Sequence, residues 1–190
     1  MIDFLYSIDL AVFYFFNHTI SVGFLDKFFG FITNVNNWYI VYVILIYISY
    51  KYGGKRGKIA AVLTIFLILV SDQFGASFLK PLIHRLRPCN ALTDVLTPLG
   101  CTGSFSFPSN HALNNFAAAV FFYRLFPKLK TALFVVASLI AISRVYLGLH
   151  YPSDIVGGAL IGAGIGYLFS ILALKIDEFL NRKTRIKESE

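Results

Sequence analysis

The stretch IAAVLTIFLILVSDQFGASFL, residues 59–79, decides the fold class, because it is an apolar run with a single charged residue, Asp72. A helical crossing of a bilayer takes about 20 residues, so this run is long enough for one. We therefore predict a transmembrane helix here. A carboxyl group inside a membrane is costly, so Asp72 is interpreted either as a structural hydrogen-bond partner or as a group beneath a functional site.

Further apolar runs lie on both sides of this stretch. A run at residues 4–16 is too short to span comfortably, so it is either a short first span or a helix lying in the membrane interface. The runs at 28–50, 109–126, 129–143 and 153–180 are predicted spans. The sequence thus predicts an all-α fold, a polytopic transmembrane helical bundle of about six helices, with five spans and a short N-terminal helix. We expect residues 1–190 to form a single integral-membrane domain, with residues 181–190 as a flexible cytoplasmic tail.

Composition excludes several classes of protein. Hydrophobic residues make up 57% of the chain and charged residues 14%, which together with the long apolar runs is typical of a membrane protein. The net charge of +7 lies in short clusters between apolar runs, which does not predict binding to nucleic acid. No cysteine and histidine spacing typical of zinc sites occurs, so we expect no structural metal. We also expect no cofactor.

Small residues recur along the last predicted span. Gly158, Gly162 and Gly166 are spaced by four residues, which places them on one face of a helix. Such a stripe allows close helix packing. We expect it to pack within the chain rather than form a dimer seam, and the sequence does not predict the oligomeric state.

The distribution of basic residues predicts the topology. One side of the predicted bundle receives twelve lysines and arginines and the opposite side five, and cytoplasmic loops carry the excess. The loop at residues 80–107 and the region around His150 are therefore expected to face outward, toward the periplasm or exterior. In this oxidising setting Cys89 and Cys101 form either a disulfide or two free thiols.

The segment SRVYLGLHYPSD, residues 143–154, is the strongest candidate site. Arg144 offers a planar cation suited to phosphate oxygens, and His150 is suited to act as a nucleophile or proton carrier. Asp154 is placed to accept a hydrogen bond from the imidazole and orient it. The alternative is an interfacial Arg144–Asp154 ion pair beside a histidine that only packs.

Two further clusters are predicted on the same side of the membrane. Lys80 and Arg87 flank the beginning of the long loop, and Pro108-Ser109-Asn110-His111 precedes an apolar run. Ser109 is the expected N-cap of the following helix, which places His111 in its first turn. Free amides at a helix N-terminus bind anions. The three clusters together predict a phosphate-sized site with two histidines.

These clusters, Lys80-x6-Arg87-Pro88, Pro108-Ser109-Asn110-His111 and Ser143-Arg144-x5-His150-x3-Asp154, resemble the three-part signature of the type 2 phosphatidic acid phosphatase superfamily. That superfamily also contains vanadium haloperoxidases and glucose-6-phosphatase. The resemblance covers residues 72–165. Asn110 stands where the family usually has glycine, beside the anion-binding turn, so we expect this difference to affect substrate preference or rate.

The resemblance implies a role for each residue. His150 would attack phosphorus, Asp154 would orient it, and His111 would protonate the leaving oxygen and then activate water. Charge on the phosphoryl oxygens would be stabilised by Lys80, Arg87, Ser109 and Arg144. His84 and Arg85 lie in the first motif outside its fixed positions. Like Asn110, they are candidates to contact a lipid headgroup, although His84 and Arg85 are equally consistent with solvation.

The resemblance implies a metal-independent phosphatase that acts at the outer face of a bacterial inner membrane through a phosphohistidine intermediate. Its expected partners are the bilayer and a lipid phosphate, with no nucleic acid. Lipid A 1-phosphate and undecaprenyl diphosphate are the favoured substrates. The alternatives are phosphatidylglycerophosphate, phosphatidic acid, and a non-hydrolytic transporter of anions or lipid phosphates on the same scaffold. A transporter would need only the cationic groups, so the His150–Asp154 pair distinguishes it from an enzyme.

Overall fold

The structure is a computed structural model that describes residues 2–188, with the side chains of residues 4–40 and 42–182. Within these residues it contains nine α-helices and no strand. Their bounds are α1 Ile2–Tyr14, α2 Gly23–Thr33, α3 Tyr39–Tyr52, α4 Gly54–Gln73, α5 Lys80–Ile83, α6 Pro88–Ala91, α7 Asn110–Leu125, α8 Lys130–Tyr146 and α9 Pro152–Glu188. The all-α prediction is confirmed.

Three helical stretches of the described chain are long and apolar enough to cross a membrane. They are Gly54–Ala91, Pro127–Tyr146 and Pro152–Arg182. A fourth crossing is available if Phe4–Thr19 and Gly23–Thr33, which meet at a bend of 114°, act as one broken span. Helix α7 is shorter and is largely covered by α4, α8 and α9, so it forms the centre of the bundle.

The predicted continuous span at residues 28–50 is wrong, because the helix breaks between Thr33 and Tyr39. At this break, asparagine side chains form hydrogen bonds with backbone groups. Asn34 Oδ1 accepts from the amide of Asn36 at 3.1 Å, and Asn37 Nδ2 donates to the carbonyl of Phe31 at 2.9 Å. Such side-chain bonds compete with the helical ladder, so the polar residues that interrupt the apolar run also end α2.

The glycine stripe of α9 packs against α7 within the chain. A Cβ atom on Gly162 would overlap the carbonyl of Leu113, and one on Gly166 would overlap the carbonyl of Ala117. Gly158 makes a similar approach to the carbonyl of Ser109. This close contact brings the N-terminal end of α9, which carries Asp154, beside the N-terminal end of α7, which carries His111.

The long loop after α5 is closed by a disulfide between Cys89 and Cys101, whose Cα atoms are 6.0 Å apart. The alternative of two free thiols does not occur in the structure. Helix α9 continues to Glu188, and Ser189 and Glu190 lie outside the described residues. The flexible tail at residues 181–190 therefore stays a prediction.

Candidate active site

His150 is placed by the tight connection between α8 and α9. Gly148 adopts a φ of +75°, which favours glycine, and a Cβ atom there would lie 2.5 Å from the carbonyl of Leu96. The amides of Leu149 and His150 both donate to the carbonyl of Arg144, at 3.0 and 3.2 Å. The turn directs the imidazole into the bundle, where the residue is 2% exposed.

The two ring nitrogens of His150 contact groups of opposite charge. Nε2 lies 3.0 Å from Nη1 of Arg87, and Nδ1 lies 3.6 Å from Oδ2 of Asp154. A guanidinium can only donate, so Nε2 accepts and the proton belongs on Nδ1, facing the carboxylate. Burial lowers the pKa of His150 to about 3, Arg87 acts in the same direction, and the Asp154 hydrogen bond opposes both. The imidazole is therefore neutral at neutral pH, with its lone pair on Nε2.

Asp154 is fully buried and its carboxylate is saturated with donors. Ser106 Oγ donates to Oδ2 at 2.5 Å, and the amide of Tyr151 donates to the same oxygen at 2.8 Å. Arg85 Nη1 donates to Oδ1 at 2.7 Å. These contacts fix the carboxylate in position, which is what an orienting partner of a histidine requires.

Three buried cations surround this pair. Lys80 Nζ donates to the carbonyl of Phe105 at 2.6 Å, and Arg87 donates to the carbonyls of Ser104 and Leu149 at 2.7 and 2.9 Å. Arg144 Nη1 donates to Thr33 Oγ1 at 2.9 Å. All three cationic residues are buried although none of these bonds joins them to a carboxylate. An anionic ligand would complete their electrostatics.

The N-terminus of α7 faces the same space. Ser109 is the N-cap residue, as predicted, and its amide donates to the carbonyl of Asp154 at 3.1 Å. Its hydroxyl makes no capping bond, and Ser109 Oγ and Arg144 Nε are buried without a hydrogen-bond partner among the described residues. Buried polar atoms of this kind are expected where a ligand supplies the partner. They fit the phosphate site that the sequence predicts.

His111 lies in the first turn of α7 and contacts the carbonyl of Thr33 through Nε2, at 3.2 Å. Thr33 also accepts from Arg144, so this one residue touches groups from the second and third motifs. Arg87, from the first motif, touches His150 from the third. The structure thus brings all three sequence clusters to one buried site, in agreement with their predicted position on the same side of the membrane.

Comparison with known proteins agrees with this geometry. The sequence model of the PAP2 superfamily matches residues 60–177, which is more than half of the chain and contains all three clusters. The chain belongs to the PAP2 superfamily. The resemblance noted in the sequence is confirmed, and the functional class is that of a membrane lipid phosphatase.

Individual PAP2 proteins are similar over most of the chain. A lipid A 4'-phosphatase of Bacteroides thetaiotaomicron is 38% identical, over 98% of this chain and 86% of its own length. A lipid A 4'-phosphatase of Porphyromonas gingivalis is 31% identical, over 75% of this chain and 64% of its own. The crystal structure of a PAP2-type phosphatidylglycerolphosphate phosphatase from Bacillus subtilis superposes with a TM-score of 0.67 and 28% identity, covering 92% and 86% of the two chains.

The candidate headgroup residues have different surroundings in this PAP2 phosphatase. The solvated interpretation of Arg85 is wrong, because its guanidinium binds Asp154 and Asp9 and lies 4.1 Å from the ring centre of Tyr151. His84 is exposed, has a φ of 54° and packs edge-on against Phe105. A headgroup contact of His84 stays a prediction.

Asn110, the departure from the PAP2 motif, is bound to the intramembrane acid. Its Nδ2 donates to the backbone carbonyl of Asp72 at 3.2 Å and to the carboxylate at 2.9 Å. Asn114 donates to the same carboxylate oxygen at 2.9 Å. Asp72 therefore makes structural hydrogen bonds to the first two turns of α7, which accounts for its place in an apolar helix.

Four residues that contact the site were not recognised in the sequence. Ser104 and Ser106 lie in the long loop, whose length was the only signal for them. Thr33 belongs to the polar corner after α2. Asp9 lies in an apolar helix, and an acid in such a place is a usable signal for a functional contact.

Proposed function

We propose that this phosphatase removes the 4'-phosphate of lipid A at the periplasmic face of the bacterial inner membrane. The observation that carries the reaction is the arrangement of His150, with Nε2 toward Arg87 and Nδ1 toward Asp154. The choice of substrate rests on the two lipid A 4'-phosphatases to which the chain is similar. It differs from the 1-phosphate and undecaprenyl diphosphate that were favoured from sequence.

The first step is attack of His150 Nε2 on phosphorus. A nitrogen–phosphorus bond forms while the bond from phosphorus to the sugar oxygen breaks, and His111 gives a proton to that oxygen. The product is a phosphohistidine and a free sugar hydroxyl. Asp154 stabilises the positive charge that develops on the imidazole by holding the Nδ1 proton, without itself taking it.

The second step returns the enzyme to its starting state. His111, now neutral, takes a proton from water, whose oxygen attacks phosphorus, and the nitrogen–phosphorus bond breaks to release inorganic phosphate. In both steps the equatorial oxygens carry negative charge. Lys80, Arg87 and Arg144, together with the hydroxyl of Ser109 at the N-terminal end of α7, would stabilise it.

A phosphatidylglycerophosphate phosphatase is the second candidate, favoured by the similarity to the solved Bacillus subtilis structure. Both activities would use the same phosphate site and differ in how the rest of the lipid is held. A non-hydrolytic transporter is not favoured, because the buried His150–Asp154 pair has no role in binding alone. The substrate is therefore the property to measure.

The experiment measures phosphate release by purified protein from lipid A phosphorylated at both positions. Mass spectrometry of the product identifies the position that is cleaved. Phosphatidylglycerophosphate, phosphatidic acid and undecaprenyl diphosphate are assayed in parallel, with a chelator present throughout. We expect loss of the 4'-phosphate to be fastest, and preferred cleavage of any other lipid would replace the proposed substrate.

Two histidine variants control this assay. His150→Ala is expected to remove activity. His18→Ala changes a histidine that lies outside the three motifs and contacts the carbonyl of Asp94, and it is expected to retain activity. Equal activity of the two variants would contradict the proposed role of His150.

A further inference from the structure

Thr33 is the one residue among those described that contacts both Arg144 and His111 while lying outside all three motifs. It ends α2, and the residue is 4% exposed. Its hydroxyl accepts from Arg144 Nη1 at 2.9 Å, and its carbonyl contacts His111 Nε2 at 3.2 Å.

The carbonyl contact follows from the way α2 ends. The last carbonyls of a helix have no partner within it. In α2 the carbonyl of Phe31 accepts from Asn37, that of Ile32 accepts from Trp38 Nε1 at 3.0 Å, and that of Thr33 meets His111. Because a carbonyl only accepts, the third contact assigns a proton to His111 Nε2. The contact thereby orients the ring, and Nδ1 is the nitrogen that would serve the leaving oxygen.

The hydroxyl contact bears on phosphate binding. Arg144 is buried, and its Nε has no hydrogen-bond partner among the described residues, so Thr33 Oγ1 is the group that orients the guanidinium. A planar fork binds phosphate oxygens well only when its direction is fixed. Loss of this oxygen leaves the charge of Arg144 in place but removes its orientation.

We propose that Thr33 is a positioning residue for the phosphate site, orienting Arg144 through its hydroxyl and His111 through its carbonyl. The corner between α2 and α3 then forms a wall of the site that the PAP2 motifs do not include. This inference rests on the proposed function, because it assigns Thr33 to the same phosphate site. Its test therefore reads anion binding separately from turnover.

The sharpest variants are Thr33→Ser and Thr33→Ala, which differ from each other by one oxygen atom. Orthovanadate binding to the purified protein in detergent is measured by calorimetry, and kcat and KM are measured with the lipid that the wild-type protein cleaves. A lost hydrogen bond to a charged group corresponds to about a tenfold loss of affinity or more. We expect that loss for Thr33→Ala and Thr33→Val, and near-wild-type binding for Thr33→Ser.

Thr64→Val is the matched control. Thr64 is also a buried threonine in an apolar helix, but its hydroxyl bonds to the carbonyl of Ala60 within α4, at 2.7 Å. We expect Thr64→Val to bind orthovanadate as the wild-type protein does. If Thr33→Val does not fold, the comparison of Thr33→Ala with Thr33→Ser still decides the question, because it changes only the hydroxyl.

The outcomes separate this inference from the proposed function. Equal orthovanadate affinity in the alanine and serine variants would overturn the role of Thr33, whichever lipid is cleaved. If the serine variant binds orthovanadate tightly and the alanine variant weakly, but no lipid releases phosphate, the positioning role of Thr33 is supported and the proposed substrate is contradicted. A wild-type protein that neither binds orthovanadate nor releases phosphate would overturn both.

Discussion

The N-terminal segment, residues 4–52, and the motif-bearing core, residues 54–182, contribute to the active site in different ways. The core supplies His150, His111 and the three cations, and the PAP2 sequence model begins only at residue 60. The N-terminal segment supplies no proposed catalytic group. It supplies contacts from Asp9 and Thr33 that hold the core residues in place.

Asp9 shows this supporting role most directly. Its carboxylate accepts from Arg85 Nη2 at 2.6 Å and from the amide of Ser153 at 2.8 Å, and Ser153 is the neighbour of Asp154 in the chain. Arg85 in turn donates to Asp154. The comparison teaches that the reaction is specified by one part of the chain while its geometry depends on both.

Among the residues that support His150, the largest loss is expected in the core, for Asp154→Asn. An amide cannot stabilise the imidazolium as a carboxylate does, so we expect phosphate release to fall by about a thousandfold or more. The matched control is Asp177→Asn, which changes another buried acid of α9, paired with Arg56 at 2.7 Å near the opposite end of the helix. Equal losses in the two variants would show that Asp154 acts only through stability.

Asp9→Asn tests the N-terminal segment and is expected to have a smaller effect. Arg85 keeps Asp154 but loses an ionic partner, so we expect about a tenfold loss of activity and a loss of about 2 kcal/mol in the free energy of unfolding. Kinetics and thermal unfolding in detergent measure both. The control is Asp94→Asn, at a side chain that is 81% exposed. Unchanged activity in Asp9→Asn would show that this contact of the N-terminal segment does not affect catalysis.

Opening the disulfide is expected to have a still smaller effect on activity. The Cys89–Cys101 bond lies between Arg87 and Ser104, whose hydroxyl accepts from Arg87 Nη2 at 2.9 Å. A disulfide that closes a loop of this size contributes about 3 kcal/mol to the free energy of unfolding. We expect the double variant Cys89→Ser and Cys101→Ser to lose this contribution and to show a few-fold lower activity. Wild-type melting behaviour after complete reduction would contradict this.

The smallest effect is expected for Asn110→Gly, which restores the PAP2 motif but removes two hydrogen bonds to Asp72. Each net hydrogen bond is worth about 1 kcal/mol, and only part of that free energy is expected to affect the reaction, so we expect about a twofold to fivefold change in kcat/KM. Asp72→Ala should change kcat/KM less in the Asn110→Gly variant than in the wild-type protein, because either substitution removes the hydrogen bond between Asn110 and the Asp72 carboxylate. Fully additive effects would show that they act independently.

The sequence predicted the fold class and the residues of the three clusters because both depend on strong signals. Long apolar runs specify membrane helices, and Lys80, Arg87 and His150 are polar groups at positions where such groups are costly. The interior glycines of α9 also predicted the close packing against α7. Each of these features depends on the spacing of residues within a single continuous segment of the sequence.

The helix break and the supporting contacts could not be predicted in the same way. Whether Asn34, Asn36 and Asn37 end a helix depends on which carbonyls their side chains reach, which composition does not specify. The contacts of Asp9 with Arg85 and of Thr33 with Arg144 join residues 76 and 111 positions apart. A single sequence carries no signal for such pairs.

The central claim is that His150 becomes covalently phosphorylated. The direct test is to mix the wild-type protein with the lipid that it cleaves, quench within the first turnover under alkaline conditions, and locate the phosphoryl group by peptide mass spectrometry. We expect one phosphoryl group on His150 in the wild-type protein and none in His150→Ala. In His111→Ala the phosphohistidine should last longer, because water is no longer activated. Wild-type turnover by His150→Ala, or a phosphoryl group on another residue, would contradict it.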